Sequence, residues 1–539
     1  MSTSNLSTQQ KLVSALLDGR RYPHPAKTVR LIETHISWVL LAGRYAYKIK
    51  KAVDLGFLDF TQLDARLHFC AEEIRLNRRL APKIYLNVVA IGGSPERPQF
   101  GAQPALEYAV RMRRFASSTL MDHLLERDKI LPRHIDRLAA VVADFHQRIP
   151  AAAADSAFGT AAAIRAPMLQ TFGQLSDLAG VVQRGMVDGV DALRAAFDVE
   201  FRACQDAFAA RRAQGFVREC HGDLHLGNIA LIGDEPVPFD GIEFDPGLRW
   251  IDVINDVAFA AMDLLHRARP GLAYRFLNAY LEANGDYAGM PLFRFYCAGR
   301  ALVRAKVHAI EAAQSAVPRQ RHDAARIACH DYLALAKQCL ARRQPALIIT
   351  RGLPGSGKTT FSQIALEKFH AIRMRSDVER KRSFGLAALD DSRSAAAGAA
   401  SVYGAEATQR TYAHLLQTAR MLLTAGLPVI IDAAFLKQAQ RDQFHQLAQD
   451  MSIPFAIATM HANRHALEVR IMQRLAQAND ASEADLNVLD ALQTAQDALT
   501  PQELTYSIRF VSGGRELADA ASWIALESVM SAATLNRHQ

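Results

Sequence analysis

Two short runs in this 539-residue sequence carry residue types whose spacing has a chemical reason. The first is GLPGSGKT at 352–359, followed by a further threonine. Gly352, Gly355 and Gly357 let successive backbone N–H groups curl around a phosphate. Lys358 reaches its outer oxygens, Thr359 offers a hydroxyl to Mg²⁺, and Ser356 and Thr360 complete the nucleotide-lining run. The second is CHGDLHLGNI at 220–229, in which Asp223 and Asn228 stand five apart. An aspartate so placed accepts the proton of an attacking hydroxyl, while the asparagine turns back to a metal on the nucleotide. Asp240 follows in PFDGIEFD, at the end of a short apolar run and just before a glycine, where a second metal ligand is expected. Both runs point to phosphoryl transfer, a chemistry performed mainly by positioning and by neutralising charge.

The flanking patterns supply the elements that must hold these residues. ALIIT (346–350) reads as a strand entering the glycine loop, and TTFSQIALEKF as the helix leaving it. LPVIID (427–432) is an apolar strand ending in Asp432, an acid that can hold the metal through water. HAIRMRSD (370–377) ends in Asp377, a candidate for orienting or deprotonating the acceptor hydroxyl, with Arg380 nearby for an anionic acceptor. Arg470 and Arg474 fall at i, i+4 in HALEVRIMQRLAQ, a spacing suited to a lid that lays two guanidinium groups on the transferring phosphate.

In the first half, SWVLLAG (37–43) and YAYKIKK (45–51) read as two strands joined at Gly43 and Arg44. LDARLHFCAEEIRLNRRLAP (63–82) is helical and stops at a proline; YLNVVAIGG and LEYAVRMRRF are again strand-like. From about 117 the pattern is mostly helical, with a strand-rich insert near 217–245, and AAAADSAFGTAAAI (151–164) reads as a helical connection. The clearest boundary lies at 340–345, where LALAKQCLARRQP closes a helical pattern. The expected domains are therefore 1–344, with an N-lobe at about 28–115 and a helical C-lobe at about 116–340, and 345–539.

HGDLHLGN resembles the catalytic loop of the aminoglycoside phosphotransferase and choline kinase-like superfamily, and the resemblance spreads over about 28–310. It implies an α+β, protein-kinase-like bilobal domain. A strand lysine there grips the nucleotide phosphates and pairs with a helix glutamate. AYKIK offers Lys48 and Lys50, two apart on one strand face. Lys48 is preferred as nearer the hairpin turn, and its partner is Glu72 or Glu73, with Glu73 carried into the site set. The resemblance also makes EYAVRMRRF (107–115) the adenine hinge and Asp256 a structural brace of the catalytic loop. No G-x-G-x-x-G precedes Lys48, which argues against a protein kinase. The second half, over about 345–510, resembles the small P-loop kinases of the polynucleotide-kinase, gluconate-kinase and zeta-toxin type, within the AAA-like P-loop proteins. It rests on GLPGSGKTT, RSDVERKR, VIIDAAF and the paired arginines, and implies an α/β P-loop domain with a parallel sheet.

Composition narrows the remaining classes. Half of the residues are apolar and 22% are charged, which excludes a disordered or fibrous chain. Six cysteines with no C-x-x-C pair read as reduced thiols of a cytoplasmic protein, without a disulfide frame or zinc site. The start is polar, and no long uncharged apolar run suggests a membrane span; the most apolar stretch, 253–265, is broken by Asp256 and Asp263. The net charge of +8 is spread along the chain, so a nucleic-acid partner is not favoured. The stretch FRFYCAGRALVRAKVHAI (293–310), where the superfamily forms its acceptor pocket, carries Arg294, Arg300, Arg304 and Lys306. A basic wall repels a polyamine, so the expected acceptor is a small, anionic molecule and not an aminoglycoside.

The sequence thus leads to an ATP- and Mg²⁺-dependent phosphotransferase with two nucleotide sites. The alternatives are an ATP-binding regulatory or stress switch with slow turnover, and a nucleic-acid 5′-end kinase in the P-loop half.

Overall fold

The computed structural model describes residues 2–535 apart from 57, 183–185, 315–317, 342–343, 393–401, 478–479, 514–515 and 518–519. It divides into two compact units, Met1–Gln174 with Gln205–Asp263, and Leu175–Cys204 with Leu264–Gln539. Arg342 and Arg343, which close the helical pattern at the expected boundary, lie outside the described residues. No described helix is long and apolar enough to cross a membrane.

The first unit is built on a six-stranded antiparallel sheet: β1 (Val29–Glu33), β2 (Ser37–Ala42), β3 (Tyr45–Lys50), β4 (Tyr85–Ser94), β5 (Arg97–Phe100) and β6 (Glu107–Arg113). Its order is β1-β2-β3-β6-β4-β5. The β2–β3 connection is only Gly43 and Arg44, and Gly43 adopts φ +56°. A Cβ there would stand 2.5 Å from the Pro25 carbonyl oxygen, so glycine is required twice over.

The two sheet faces bury different things because strand side chains alternate. Tyr47 and Ile49 of β3 face Leu12 and Val13 of the N-terminal helix Ser2–Ala15 and Leu16 just after it. Ala46 faces Cys70 and Ile74 of the helix Leu63–Asn77. By the same alternation Lys48 and Lys50 point toward that helix, which fixes them against its buried side.

Two short ribbons follow. In one, β7 (Val217–Glu219) pairs with β10 (Trp250–Asp252); in the other, β8 (Ile229–Ile232) pairs with β9 (Glu235–Pro238). They pin both ends of the loop 220–228 and the start of the segment 239–249. The strand-rich insert was thus legible, whereas the alanine-rich stretch 151–164 is corrected: its helix begins only at Ala161. Ala151 bridges Arg218, the Ala152 amide donates to the Val217 carbonyl, and Gly159 at φ +71° packs so tightly on Val217 that a Cβ would clash. Pairing with β7 overrides the helix propensity of alanine.

The second unit holds a sheet ordered β12-β13-β11-β14-β15-β16, with β11 (Leu347–Arg351), β12 (Ile372–Arg375), β13 (Val429–Asp432), β14 (Phe455–His461) and β15 (Ser507–Gly513) parallel, and β16 (Glu516–Leu517) antiparallel at one edge. The central strands are continuous apolar runs because both faces are covered. The other edge, β12, is masked by the helix Pro270–Asn284: Asn278 Oδ1 accepts from the Arg373 amide at 2.6 Å, and its Nδ2 donates to the Ala371 carbonyl at 2.9 Å. A side-chain amide here satisfies backbone groups that an open edge would leave free.

Candidate phosphotransfer sites

In the first unit, β3 delivers Lys48 and Lys50 onto Glu73, which is fully buried. Lys48 Nζ lies 3.0 Å from Glu73 Oε1 and 2.5 Å from Asp240 Oδ1. Lys50 Nζ lies 2.7 Å from Glu73 Oε2 and also contacts Glu243. On the helix, Glu73 faces the lysines, while Glu72 faces away and pairs with Arg75 and Arg249. Both lysines use Glu73, and only Lys48 reaches Asp240. Burial alone would raise the Glu73 pKa, but Lys48 and Lys50 outweigh it and hold the carboxyl below its usual range. Burial disfavours the charged form of Lys48, yet Asp240, Glu73 and Glu243 keep it protonated well above the ordinary lysine range.

Asp240 sits at φ +62°, a left-handed conformation uncommon outside glycine. The neighbouring framework imposes it. The Asp240 amide donates to Tyr85 Oη at 3.0 Å, and the Gly241 amide to Asn77 Oδ1 at 2.7 Å. The carboxylate that results is 42% exposed, reachable by a ligand although its backbone is fixed.

The loop 220–228 is braced from below. Asp256 is fully buried; its Oδ1 accepts from the Gly222 amide, and its Oδ2 accepts from the His221 amide and contacts His146 Nε2. Asp263, on the same helix Val253–His266, accepts from the Leu226 amide. The two acids that interrupt the most apolar stretch of the chain are therefore the loop's supports. His221 ties the loop to the Asp240 segment: its Nδ1 accepts from the Asp223 amide, which leaves Nε2 as the donor to the Phe239 carbonyl. Burial pushes this imidazole below its ordinary pKa, against the pull of Asp256 and Asp223, which keeps it neutral. Asn228 Nδ2 donates to Asp223 Oδ2 at 2.8 Å and to the Asp223 carbonyl at 3.1 Å, so the two spaced residues meet directly. These hydrogen bonds use Nδ2 and leave the Asn228 side-chain oxygen, Oδ1, for a cation. Together with the Asp240 carboxylate it is a hard oxygen donor, the type that suits Mg²⁺.

In the second unit the glycine loop joins β11 to the helix Lys358–Phe369. Gly355 and Gly357 adopt φ +77° and +97°. A Cβ on Gly352 would meet Ser356 Oγ at 2.6 Å, and one on Gly355 would meet the Leu467 carbonyl oxygen at 3.0 Å. The concavity is thus one that only glycine can line, as a phosphate cradle requires. Lys358 Nζ turns back to the carbonyls of Gly352 and Leu353, each at 3.0 Å, and its burial lowers its pKa despite Asp432 and Asp377. Thr359 and Thr360 open the helix, and the Thr359 carbonyl accepts from Ser362 Oγ.

Parallel pairing places Arg375 beside Asp432 at the carboxyl ends of β12 and β13, where ligands bind in open α/β sheets. Asp432 accepts from Ser362 Oγ at 2.9 Å and lies 3.9 Å from Arg375 Nε. Arg375 is also held by Glu282 at 2.8 Å and Asp480 at 2.7 Å, and Glu282 pairs with Arg373 at 2.9 Å. Asp377 is half-buried in the first turn of the helix Ser376–Ser383, with its charge felt by Lys358 and Tyr403. Arg470 Nη1 donates to the Gly355 carbonyl at 3.1 Å, and Arg474 acts on Lys358 by charge while donating to the Ala484 carbonyl. Leu467 and Ile471 pack on Leu353 and Leu489, which brings their helix to the glycine loop.

Arg380 does not stand free for an acceptor. It is buried and donates to Thr408 Oγ1 and the Val402 carbonyl, beside the Tyr403 ring. The basic stretch of 293–310 is also more engaged than its sequence suggests. Arg294 pairs with Glu200 at 2.8 Å, Arg300 is buried, and Arg304 lies over the Tyr332 ring. Sequence reasoning passed over Glu243, although it lies inside the quoted PFDGIEFD. It also passed over Tyr85, Asn77, Ser362, Glu282 and Asp480, none of which carries a local motif.

A kinase-like sheet with a paired lysine and glutamate, a braced aspartate–asparagine loop and a P-loop parallel sheet together define a nucleotide-dependent phosphotransferase. Residues 347–499 match the family described as the AAA domain. The chain is 30% identical over 484 residues to the uncharacterized protein Rv2004c of Mycobacterium tuberculosis H37Rv, covering 89% of this chain and 94% of that protein, and it belongs to the same family. Among solved structures, the amicoumacin kinase hAmiN in complex with AMP-PNP, Ca²⁺ and Ami is 12% identical, covering 62% of this chain and 95% of that one, with a TM-score of 0.40. A gluconokinase from Sinorhizobium meliloti 1021 is 16% identical, covering 36% of this chain and 100% of that one, with a TM-score of 0.26.

Proposed function

We propose that the chain transfers the γ-phosphoryl group of ATP, with Mg²⁺, to the hydroxyl of a small molecule, and that each unit carries its own nucleotide site. The observation that carries the reading is Lys48 Nζ held between Glu73 and Asp240. A phosphate-gripping cation and a metal-binding carboxylate need that closeness, because the phosphates and the metal occupy adjoining positions.

In this reading Asp223 is the base that takes the acceptor proton, and Asn228 and Asp240 hold Mg²⁺. Lys48, oriented by Glu73, holds phosphate. In the second unit the loop Gly352 to Thr360 cradles a triphosphate, Lys358 leaves its carbonyls for phosphate oxygens, and Thr359 and Asp432 hold Mg²⁺. Asp377 orients the acceptor, and Arg470 and Arg474 cover the phosphoryl group. The bound cation supplies neutralisation of charge on the transferring group. The preference for an anionic acceptor over an aminoglycoside rests on the basic composition of 293–310 alone. The division of the chain at 344/345 and a cytoplasmic setting belong to the same reading.

The test is a metabolite-extract screen of the full chain with γ-labelled ATP and mass identification of the labelled product, repeated with Asp223→Ala and Lys358→Ala. A labelled small molecule lost in one or both variants is expected. Undiminished labelling in both would remove the proposal, and efficient phosphorylation of kanamycin-like polyamines would remove its acceptor class.

A further inference from the structure

The six cysteines all carry reduced thiols, and two of them are neighbours. Cys297 lies on the helix Phe293–Ala313 and Cys339 near the end of the helix Arg319–Leu340, 42 residues apart in sequence, with their Sγ atoms 3.1 Å apart. Cys297 is buried and Cys339 is partly exposed. Both line a cavity of about 420 Å³ whose wall also includes Arg294, His370, Leu427 and Pro428.

We propose that Cys297 and Cys339 form a reversible intramolecular disulfide on exposure to a hydroperoxide. Two observations carry it beyond a chance meeting of buried thiols. The sulfurs need close by only about 1 Å to reach bonding distance, which small side-chain rotations supply. The cavity is far larger than the roughly 10–15 Å³ that a water-sized molecule needs, so a small peroxide has room beside both sulfurs. Among the other described thiols, burial pushes Cys70 and Cys204 up to about 12 and Cys329 to about 11.

The reaction balances without an enzyme. One thiolate attacks the peroxide oxygen, the O–O bond breaks, and an alcohol or water leaves, giving a sulfenic acid. The second sulfur attacks that sulfur, the S–S bond forms as the S–O bond breaks, and the thiol proton leaves with the hydroxide as water. Two thiols are oxidised and one hydroperoxide is reduced. Transient pairs of this kind are the usual form of disulfide in reducing compartments.

The bond would tie the two helices together close to the chain's entry into β11. The cavity wall also contains His370, Leu427 and Pro428, which lead into β12 and β13, the strands ending beside Asp377 and Asp432. Oxidation is therefore expected to stiffen the base of the parallel sheet.

The experiment treats the reduced full chain with a small excess of hydrogen peroxide, alkylates it in denaturant and maps its peptides. Alkylatable thiols should fall from the six of the sequence by two, with a Cys297–Cys339 cross-linked peptide that dithiothreitol releases. In Cys297→Ser and Cys339→Ser the cross-link should vanish, and dimedone should label the remaining cysteine of the pair. Six alkylatable thiols after peroxide, separate over-oxidation of the two cysteines, or a cross-link between other cysteines would each overturn the proposal.

Discussion

Lys48 and Asp240, 192 residues apart in sequence, meet at 2.5 Å between Nζ and Oδ1, while the same ammonium lies 3.0 Å from Glu73. The neighbouring Lys50 makes the corresponding bridge deeper in, between Glu73 and Glu243. Two lysines on one strand face thus do different work: the outer one ends beside an exposed carboxylate, the inner one beside a buried one.

That difference is measurable. Lys50→Ala leaves Glu73 and Glu243 buried without their shared cation and should cost about 3–5 kcal/mol in urea unfolding. Lys48→Ala should cost clearly less, because Asp240 can be solvated, yet lower phosphoryl transfer roughly 10²–10³-fold. If Lys50→Ala proved the milder change in stability, the inner bridge would have been misjudged.

Asp223→Asn removes the proposed proton acceptor but keeps a side chain beside Asn228 and His225, whose Nδ2 and Nε2 lie 2.8 and 3.5 Å from Asp223 Oδ2. Transfer by the first unit should fall roughly 10²–10⁴-fold with nucleotide affinity unchanged, as initial rates and calorimetry would show. A weakened affinity with an unaltered turnover would assign Asp223 to binding instead.

Lys358→Ala should remove one of two nucleotide-binding heats when the full chain is titrated with Mg²⁺-ATP. The remaining heat belongs to the first unit and should disappear with Lys48→Ala. Two undiminished heats in Lys358→Ala would mean that the glycine loop does not take the triphosphate.

The Glu282 carboxyl reports on the mask over β12. Burial would raise its pKa, but Arg373 and Arg375 prevail and lower it from the usual 4.5. A carboxyl depressed in the folded state contributes stability that is complete above its unfolded value. That contribution fades as pH falls from about 4.5 through the lower folded value. Glu282→Gln should therefore cost about 3 kcal/mol near neutrality and flatten the acid limb of the unfolding curve. A variant with an acid limb as steep as the parent's would show that Glu282 is not the titrating group.

Both candidate loops were legible in the sequence because each is a matter of local backbone. GLPGSGKT needs glycine where φ is positive and where a Cβ would strike the loop itself, and the strand and helix around it follow from a change of hydrophobic period. HGDLHLGN is equally local, since Asp223 and Asn228 meet across five residues. What the sequence could not contain is which distant partner each charge finds. Glu72 and Glu73 are equivalent by composition and adjacent by number, and only the packing of their helix on β3 turns one toward the lysines. Lys50 with Glu243, and Glu282 with Arg373 and Arg375, join residues 193, 91 and 93 positions apart, at spacings that no motif records. Local sterics are written residue by residue along the chain; the pairing of buried charges is decided only when burial removes water and leaves each charge to the nearest opposite one.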